Sequence, residues 1–261
     1  MFLSEPGTTG YDIRFQLFGH SVRIHPFFFV LPLLFGSGLA MSFGFADNLG
    51  VGLILVSIIF FISILVHEFG HALAFRYNGV HSKIVLYLMG GLAIPERHGW
   101  GKRTVVSSNQ KMFISFAGPL AGFLLAGLLV LIGLAIGGTV AKFTDFGFIP
   151  VPFIQFDNPG IVQNQSVRLL INGGILINVF LNVLNLVPVF PLDGGQIARE
   201  FLMQMDPRDG QRNALYLSIA TAVVIGIVGL MNRQTFLAIM FGLLAFENYQ
   251  MMQRFGGGSR W

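Results

Sequence analysis

The chain of 261 residues contains no cysteine and very few charged residues. Without cysteine there can be no disulfide bond, no thiolate zinc site and no cysteine nucleophile. Charged residues make up 11% of the chain, whereas an ordinary globular protein has about 25%. A soluble fold of this size could not cover its surface with so few charges, which excludes a cytosolic enzyme and a disordered chain.

Apolar residues are correspondingly abundant, at 54% of the chain with 28 phenylalanines, and the mean hydropathy is +0.71. This composition predicts a polytopic membrane protein whose immediate surroundings are the lipid bilayer. The formal net charge of +4 is too small to indicate a nucleic-acid partner, and we expect none. The segment before Pro26 is mostly polar, so we do not expect it to be a cleavable signal peptide, which needs a basic start followed by an apolar run.

Six apolar runs predict helices, since a membrane-spanning helix needs about 20 mostly apolar residues. The predicted helices cover residues 26–46, 48–66, 112–141, 169–192, 213–232 and 234–246, the last continuing to 252 if Glu247 lies near the interface. We therefore predict an all-α polytopic membrane protein with about six transmembrane helices. It would form a single integral membrane domain over residues 1–261.

The basic residues predict how this domain is oriented. Six helices place both termini on the same side of the membrane, and 13 of the 16 lysines and arginines fall on that side. The opposite side holds only Lys142, Arg168 and Arg233. By the positive-inside rule both termini are cytoplasmic. We expect a multi-pass protein of the cell membrane of a prokaryote.

One apolar segment, residues 84–95, is too short to span the membrane and is interrupted by Gly90 and Gly91. Irregular or strand backbone at membrane depth must be sheltered by protein or face a wet cavity. We interpret the segment as a short re-entrant β element, either a strand or a hairpin. The alternative is an interfacial loop with a turn at the two glycines.

A candidate zinc motif follows the second apolar run, where the sequence reads His67-Glu68-Phe69-Gly70-His71. On a helix, positions i and i+4 lie on one face, so the two imidazoles can bind one Zn²⁺. Glu68 lies on the adjoining face, where it can act as general base toward an attacking water. The alternative is a pair of interfacial histidines with Glu68 bonded to Arg76.

A catalytic zinc ion has three protein ligands and an open fourth position. The remaining histidines at positions 20, 25, 81 and 98 do not have a matching spacing. Asp193 is the better third ligand, because it ends the fourth predicted helix and would emerge at the depth of the histidines. Its alternative role is that of a turn residue, since Asp-Gly-Gly is a turn sequence.

Together with two later motifs, this pattern resembles the site-2 protease family of intramembrane zinc metalloproteases, peptidase family M50. The motifs are His67-Glu68-x-x-His71, the segment from Ser115 to Gly122, and the segment from Asn185 to Gly195. The resemblance covers about residues 48–195, which it implies are the core, with peripheral helices at 26–46 and 213–252. It implies one Zn²⁺ bound by His67, His71 and Asp193, with Glu68 as the catalytic residue. It also implies cleavage of transmembrane protein substrates in or near the membrane.

The resemblance has further implications. The family has a short membrane-embedded β element after the zinc helix that is thought to hold the substrate extended, and residues 84–95 occupy that place. The family's Gly-Pro-Leu-Ala motif is often followed by asparagine, whereas this chain has Gly122. Many relatives carry a PDZ or CBS domain, and we expect a compact six-helix member with neither.

Two amides, Asn182 and Asn185, lie one turn apart on the fourth predicted helix, where they need hydrogen-bond partners. Each can bond the substrate backbone or the reacting carbonyl oxygen, or else connect two helices. The resemblance favours the catalytic role for Asn185 and leaves both roles open for Asn182. Two other functions remain as alternatives to a protease, a zinc transporter and a catalytically inactive relative that acts as a membrane scaffold.

Overall fold

The computed structural model describes residues 5–88, 90–96, 106–146 and 149–256, which form nine α-helices and six strands. The helices are α1 (Val30–Ser42), α2 (Leu49–Tyr77), α3 (Ser108–Ala135), α4 (Pro159–Val162), α5 (Gln165–Arg168), α6 (Gly174–Asn185), α7 (Asp193–Met205), α8 (Gly210–Met231) and α9 (Thr235–Gly256). The strands are β1 (Ile13–Leu17), β2 (His20–Ile24), β3 (Ser82–Tyr87), β4 (Gly90–Pro95), β5 (Gly138–Phe146) and β6 (Ile149–Phe156). The chain divides into two compact units, Met1–Thr104 with Ala117–Asn182 and Val105–Phe116 with Val183–Trp261.

Four helical segments are long and apolar enough to cross a membrane, which makes the chain an integral membrane protein. They are α2, α3, α8 and the run Gln165–Asn185, in which a π-helical turn joins α5 to α6. On α2 the exposed side chains Val51, Ile54 and Ile58 recur at helical spacing, as expected of a stripe that faces lipid. The α1 and α9 segments are helical as predicted but are not among the four, so the count of six spans stays a prediction.

Two helix ends differ from the sequence-based prediction. The third helix ends at Ala135 rather than at residue 141, because Gly137 has φ +89° and the chain then enters β5. The fourth ends at Asn185, since Pro188 disfavours helical backbone at the residue before it. The prediction that Asp193 ends this helix was therefore wrong, because Asp193 is the first residue of α7.

The first unit contains a four-stranded sheet in the order β1-β2-β3-β4, so the predicted all-α class is incomplete. The strand β2 runs antiparallel to β1 and parallel to β3, with Val22 opposite Ile84. Apolar residues of β2 and β3 pack on the inner face of α2 around Ile64 and Leu65. The polar N-terminal segment therefore folds as part of the sheet that lies against the zinc-motif helix.

The segment predicted as a re-entrant strand or hairpin is the hairpin β3–β4, whose turn ends at Gly90 with φ +118°. The strand β3 lies between β2 and β4 and is paired on both sides. The strand β4 has no partner on its outer edge within the described residues. The Glu96 N–H donates to the His81 carbonyl oxygen at 2.8 Å. Counting back from Glu96, every second residue of β4 therefore points its N–H toward β3, and the residues between point theirs away from it. By that alternation the N–H groups of Gly91 and Ala93 face the free edge of β4.

A second hairpin, formed by β5 and β6, follows the third helix. The Asn172 side chain fixes this hairpin, because it accepts from the Ile154 N–H at 2.8 Å and donates to the Ile154 carbonyl oxygen at 3.0 Å. The Asn172 amide thus bonds the Ile154 backbone of β6 as a neighbouring strand would. Four of the basic residues counted for the orientation, Arg97, Lys102, Arg103 and Arg260, lie outside the described residues, and so does His98.

Candidate metal centre

The two histidines of the zinc motif face each other on one side of α2. The Nε2 atoms of His67 and His71 are 3.1 Å apart, and both side chains are buried. With zinc–nitrogen bonds of 2.0–2.1 Å, a tetrahedral centre holds two nitrogen ligands about 3.3 Å apart. The pair therefore fits one zinc ion without rearrangement of the helix.

The orientation of His67 is set by Asn182 of α6, whose Oδ1 lies 2.7 Å from Nδ1 of the imidazole. An amide oxygen only accepts hydrogen bonds, so this contact assigns the proton to Nδ1 and leaves the Nε2 lone pair for a metal. The other end of the amide donates to the Asn178 carbonyl oxygen at 2.5 Å, and Asn182 is fully buried. Of the two roles considered for Asn182, this contact is the connection between two helices, because it joins α6 to His67 of α2.

Small residues on α3 make room for this arrangement. A Cβ atom added at Gly118 would overlap the His71 imidazole, and one added at Gly122 would overlap the Asn182 amide. The backbone of Ala117 lies similarly close to Gly70 of α2. The glycine at position 122, where the family often has asparagine, thus leaves space for the amide supplied by α6.

Glu68 is buried beside the edge strand of the sheet. A Cβ atom at Gly91 of β4 would overlap its carboxyl group, so only glycine lets the strand lie this close. Arg76, the partner considered in the alternative interpretation, donates instead to the Phe18 carbonyl oxygen at 3.3 Å. The carboxylate therefore adjoins β4, one of the two edge strands of this sheet.

The second unit contains the other two predicted site residues. Asp193 is buried in the first turn of α7, where the helix dipole favours a negative charge. The two glycines that follow lie against the preceding loop, since a Cβ at Gly194 would overlap the Leu186 carbonyl oxygen and one at Gly195 the Phe190 nitrogen. Asn185 is the half-buried last residue of α6, and its role is a proposal considered below.

Two of the histidines set aside for their spacing have structural partners in the first unit. The ring of His20 bonds to the Ser82 carbonyl oxygen through Nδ1 at 3.0 Å. His25 accepts from the Phe27 N–H and caps the 3-10 turn Pro26–Phe29. These contacts explain both residues without a metal.

The apolar helices and the buried histidine pair on one of them define an integral membrane protein with a candidate metal site. The profile of Peptidase family M50 matches residues 55–228, two thirds of the chain, and the chain belongs to this family.

Two named relatives match most of the chain. The protein sll0528 of Synechocystis sp., provisionally named a zinc metalloprotease, is 27% identical over 253 residues, covering 89% of this chain and 57% of its own length. Zinc metalloprotease MJ0392 of Methanocaldococcus jannaschii is 28% identical over 194 residues, covering 74% of this chain and 46% of its own length. The chain thus spans about half the length of these relatives.

The fold is similar to that of a solved structure, the site-2 protease from Methanocaldococcus jannaschii. The TM-score is 0.56 at 23% identity, and the match covers 93% of this chain and 95% of the other. The two proteins therefore share an overall fold.

Proposed function

We propose that this chain is an intramembrane zinc metalloprotease that hydrolyses peptide bonds in or near the transmembrane segments of other membrane proteins. The observation that carries the proposal is the pair of facing Nε2 atoms of His67 and His71, with Nδ1 of His67 held by Asn182. The family membership and the names of the two relatives support the same reaction.

One Zn²⁺ would be held by His67, His71 and Asp193, three buried side chains of the types that zinc prefers. Bound zinc would supply a Lewis acid to the scissile carbonyl and to water. Asp193 is proposed as the third ligand because it stands in the family motif and is one of the few buried carboxylates.

Glu68 would remove the proton from the attacking water and pass it to the leaving amine. Burial in an apolar setting excludes bulk water, which strengthens each electrostatic contact that the carboxylate makes. Asn185 would donate its amide N–H to the reacting carbonyl oxygen, a contact that strengthens as negative charge develops there. Its place in the family motif supports this role.

A substrate helix must unwind before its peptide bonds can be cleaved, because its carbonyl groups are already hydrogen-bonded. Adding a strand to a free sheet edge is a low-cost way to hold it extended. The edge of β4 suits this purpose, since Gly91 and Ala93 point their N–H groups outward and Gly91 adjoins Glu68. The middle strand β3 is paired on both sides and cannot serve.

The test is to express Glu68→Gln and the unchanged chain side by side in membranes and to identify membrane proteins that accumulate bound to the variant. We expect the variant to retain zinc and to lose cleavage of those proteins, because the glutamine cannot accept the proton. An inactive scaffold would cleave nothing in either form. A zinc transporter would instead move zinc across the membrane of vesicles. Its Glu68→Gln variant would accumulate no bound membrane protein.

A further inference from the structure

Phe190 lies in the loop before α7, and three side chains of the second unit hold it. Its N–H donates to Oγ of Ser218 on α8 at 3.0 Å. Its carbonyl oxygen accepts from Nδ2 of Asn248 on α9 at 2.6 Å. The Arg199 guanidinium lies 5.4 Å from the centre of its ring, within range of a cation–π contact.

Both clamping residues are polar side chains buried in apolar helices, with Ser218 2% and Asn248 1% exposed. Burying an amide or a hydroxyl group in such surroundings is unfavourable unless it is hydrogen-bonded. The contacts with Phe190 give a partner to the Ser218 hydroxyl group and to Nδ2 of Asn248, which also donates to the Leu244 carbonyl oxygen. Among the described residues Oδ1 of Asn248 has no hydrogen-bond partner. The contacts also give hydrogen-bond partners to the N–H and carbonyl groups of Phe190, which lies outside the helices and strands.

The same loop sets the start of α7. Gly195 lies so close to Phe190 that a Cβ would overlap the Phe190 nitrogen, and Gln196 donates from Nε2 to the Pro191 carbonyl oxygen at 3.3 Å. With no side chain between loop and helix, a shift of Phe190 displaces the first turn of α7. That turn begins with Asp193.

We infer that Ser218 and Asn248 are positioning residues, which fix Asp193 for metal binding by fixing the backbone of Phe190. The inference rests on the proposed function, because it takes Asp193 as a zinc ligand. It gives α8 and α9, expected from the sequence to be peripheral, a direct part in building the metal centre.

The experiment compares Ser218→Ala and Asn248→Leu with two matched controls in the purified full-length chain. Ser57→Ala removes a serine whose hydroxyl group donates to the Leu53 carbonyl oxygen of its own helix. Asn232→Leu removes an asparagine at the end of α8 whose amide donates to the Val228 carbonyl oxygen of that helix. Zinc affinity is measured by competition with a chromophoric chelator, and coordination by the visible spectrum of the Co²⁺-loaded protein. Thermal unfolding of the metal-free protein is recorded for each variant.

We expect each clamp variant to bind zinc about tenfold more weakly and to show an altered Co²⁺ spectrum. Tenfold is the lower end of the cost of losing a direct partner of a metal ligand, and the clamp acts on Asp193 through Phe190. The controls should match the unchanged protein. A purely structural role would lower the Tm of the metal-free protein and leave affinity and spectrum unchanged, which would overturn the inference. If one clamp variant fails to fold, the other decides the result.

Asp193→Ala separates this inference from the proposed function. If it weakens zinc binding and changes the spectrum while both clamp variants behave as the unchanged protein, only the positioning role is wrong. If Asp193→Ala itself keeps the affinity and the spectrum, the ligand assignment is wrong and the positioning role falls with it.

Discussion

The Oδ1 atom of Asn182 lies 2.7 Å from Nδ1 of His67, so an amide from α6 sets the tautomer of a candidate zinc ligand on α2. Metal-binding histidines commonly donate their second ring N–H to a carboxylate or a carbonyl. Here an asparagine side chain provides that oxygen, and its own N–H is held by the Asn178 carbonyl oxygen. The imidazole is therefore oriented before any metal binds.

Replacing Asn182 by leucine should weaken zinc binding by about 10–100-fold, because the ring loses the acceptor that fixes its Nδ1 proton. Asn182→Asp keeps an acceptor at the same position and should retain most of the affinity. A chelator competition titration at neutral pH measures both variants. Equal affinity in Asn182→Leu and the unchanged protein would show that the contact does not orient the ligand.

The glycines of α3 provide a second prediction about the same centre. Gly118→Ala and Gly122→Ala should each reduce zinc affinity, because the new Cβ atoms would displace His71 and Asn182, respectively. Gly127→Ala on the same helix meets nothing within 4 Å and is the matched control. Zinc content after dialysis against a weak chelator is the measurement. If all three variants retained their zinc, the close packing of Gly118 against His71 and of Gly122 against Asn182 would be ruled out.

The free edge of β4 gives a prediction about substrate. Ala93→Pro removes an outward N–H and should slow cleavage of a protein trapped by Glu68→Gln about five- to tenfold, the value of one hydrogen bond. Ala93→Ser keeps the N–H and should cost much less, and both variants should keep their zinc. The rates come from a time course of product formation. Similar rates for proline and serine would mean that the helices, not the strand, hold the substrate.

The predicted orientation can be tested by labelling, because the chain has no native cysteine to remove. A single cysteine at Arg208 should react with a membrane-impermeant maleimide added from the cytoplasmic side, and one at Asp157 only from the opposite side. The basis is the unequal distribution of lysine and arginine. Cytoplasmic labelling at position 157 would contradict the six-span arrangement.

Glu200 of α7 provides a prediction about stability and pH. Burial opposes its ionisation, but hydrogen bonds from Arg199, Ser108 and Lys111 outweigh this and hold the pKa of Glu200 below its ordinary value. A carboxyl group with a lowered folded-state pKa stabilises the fold above its unfolded pKa, and this contribution is lost as the pH falls through the folded pKa.

Glu200→Gln should therefore lower the free energy of unfolding at neutral pH by about 1–3 kcal/mol, since Lys111 and Arg199 lose their partner. The difference from the unchanged protein should shrink in acid, where Glu200 is protonated. Asp209→Asn is the control, because its pair with Arg212 is on the surface and such pairs contribute little. Thermal unfolding of both variants and the unchanged protein across a pH series is the measurement. If the difference in Tm between Glu200→Gln and the unchanged protein did not depend on pH, the Glu200 charge would not be its cause.

Much of the molecule follows from the sequence because its signals are local. Long apolar runs predict helices wherever they occur, and the i, i+4 spacing of His67 and His71 places both rings on one face of any helix. The hairpin at residues 84–95 was predicted as a strand or hairpin because its glycines interrupt a β-prone run too short to span. The role of general base was predicted for Glu68 from its position beside His67.

Other features depend on residues far apart in the chain, which no local pattern brings together. The strand β2 pairs with β3 across some sixty residues, so a polar N-terminal segment gave no sign that it completes a sheet. Asn182 meets His67 across 115 positions, and only Gly122 on a third helix gives its amide the space to do so. The backbone of Phe190 is bound by Ser218 and Asn248, on helices that the resemblance had marked as peripheral. Residue types and helix geometry thus determined which side chains could bind a metal, whereas packing between distant segments decided how those side chains are held.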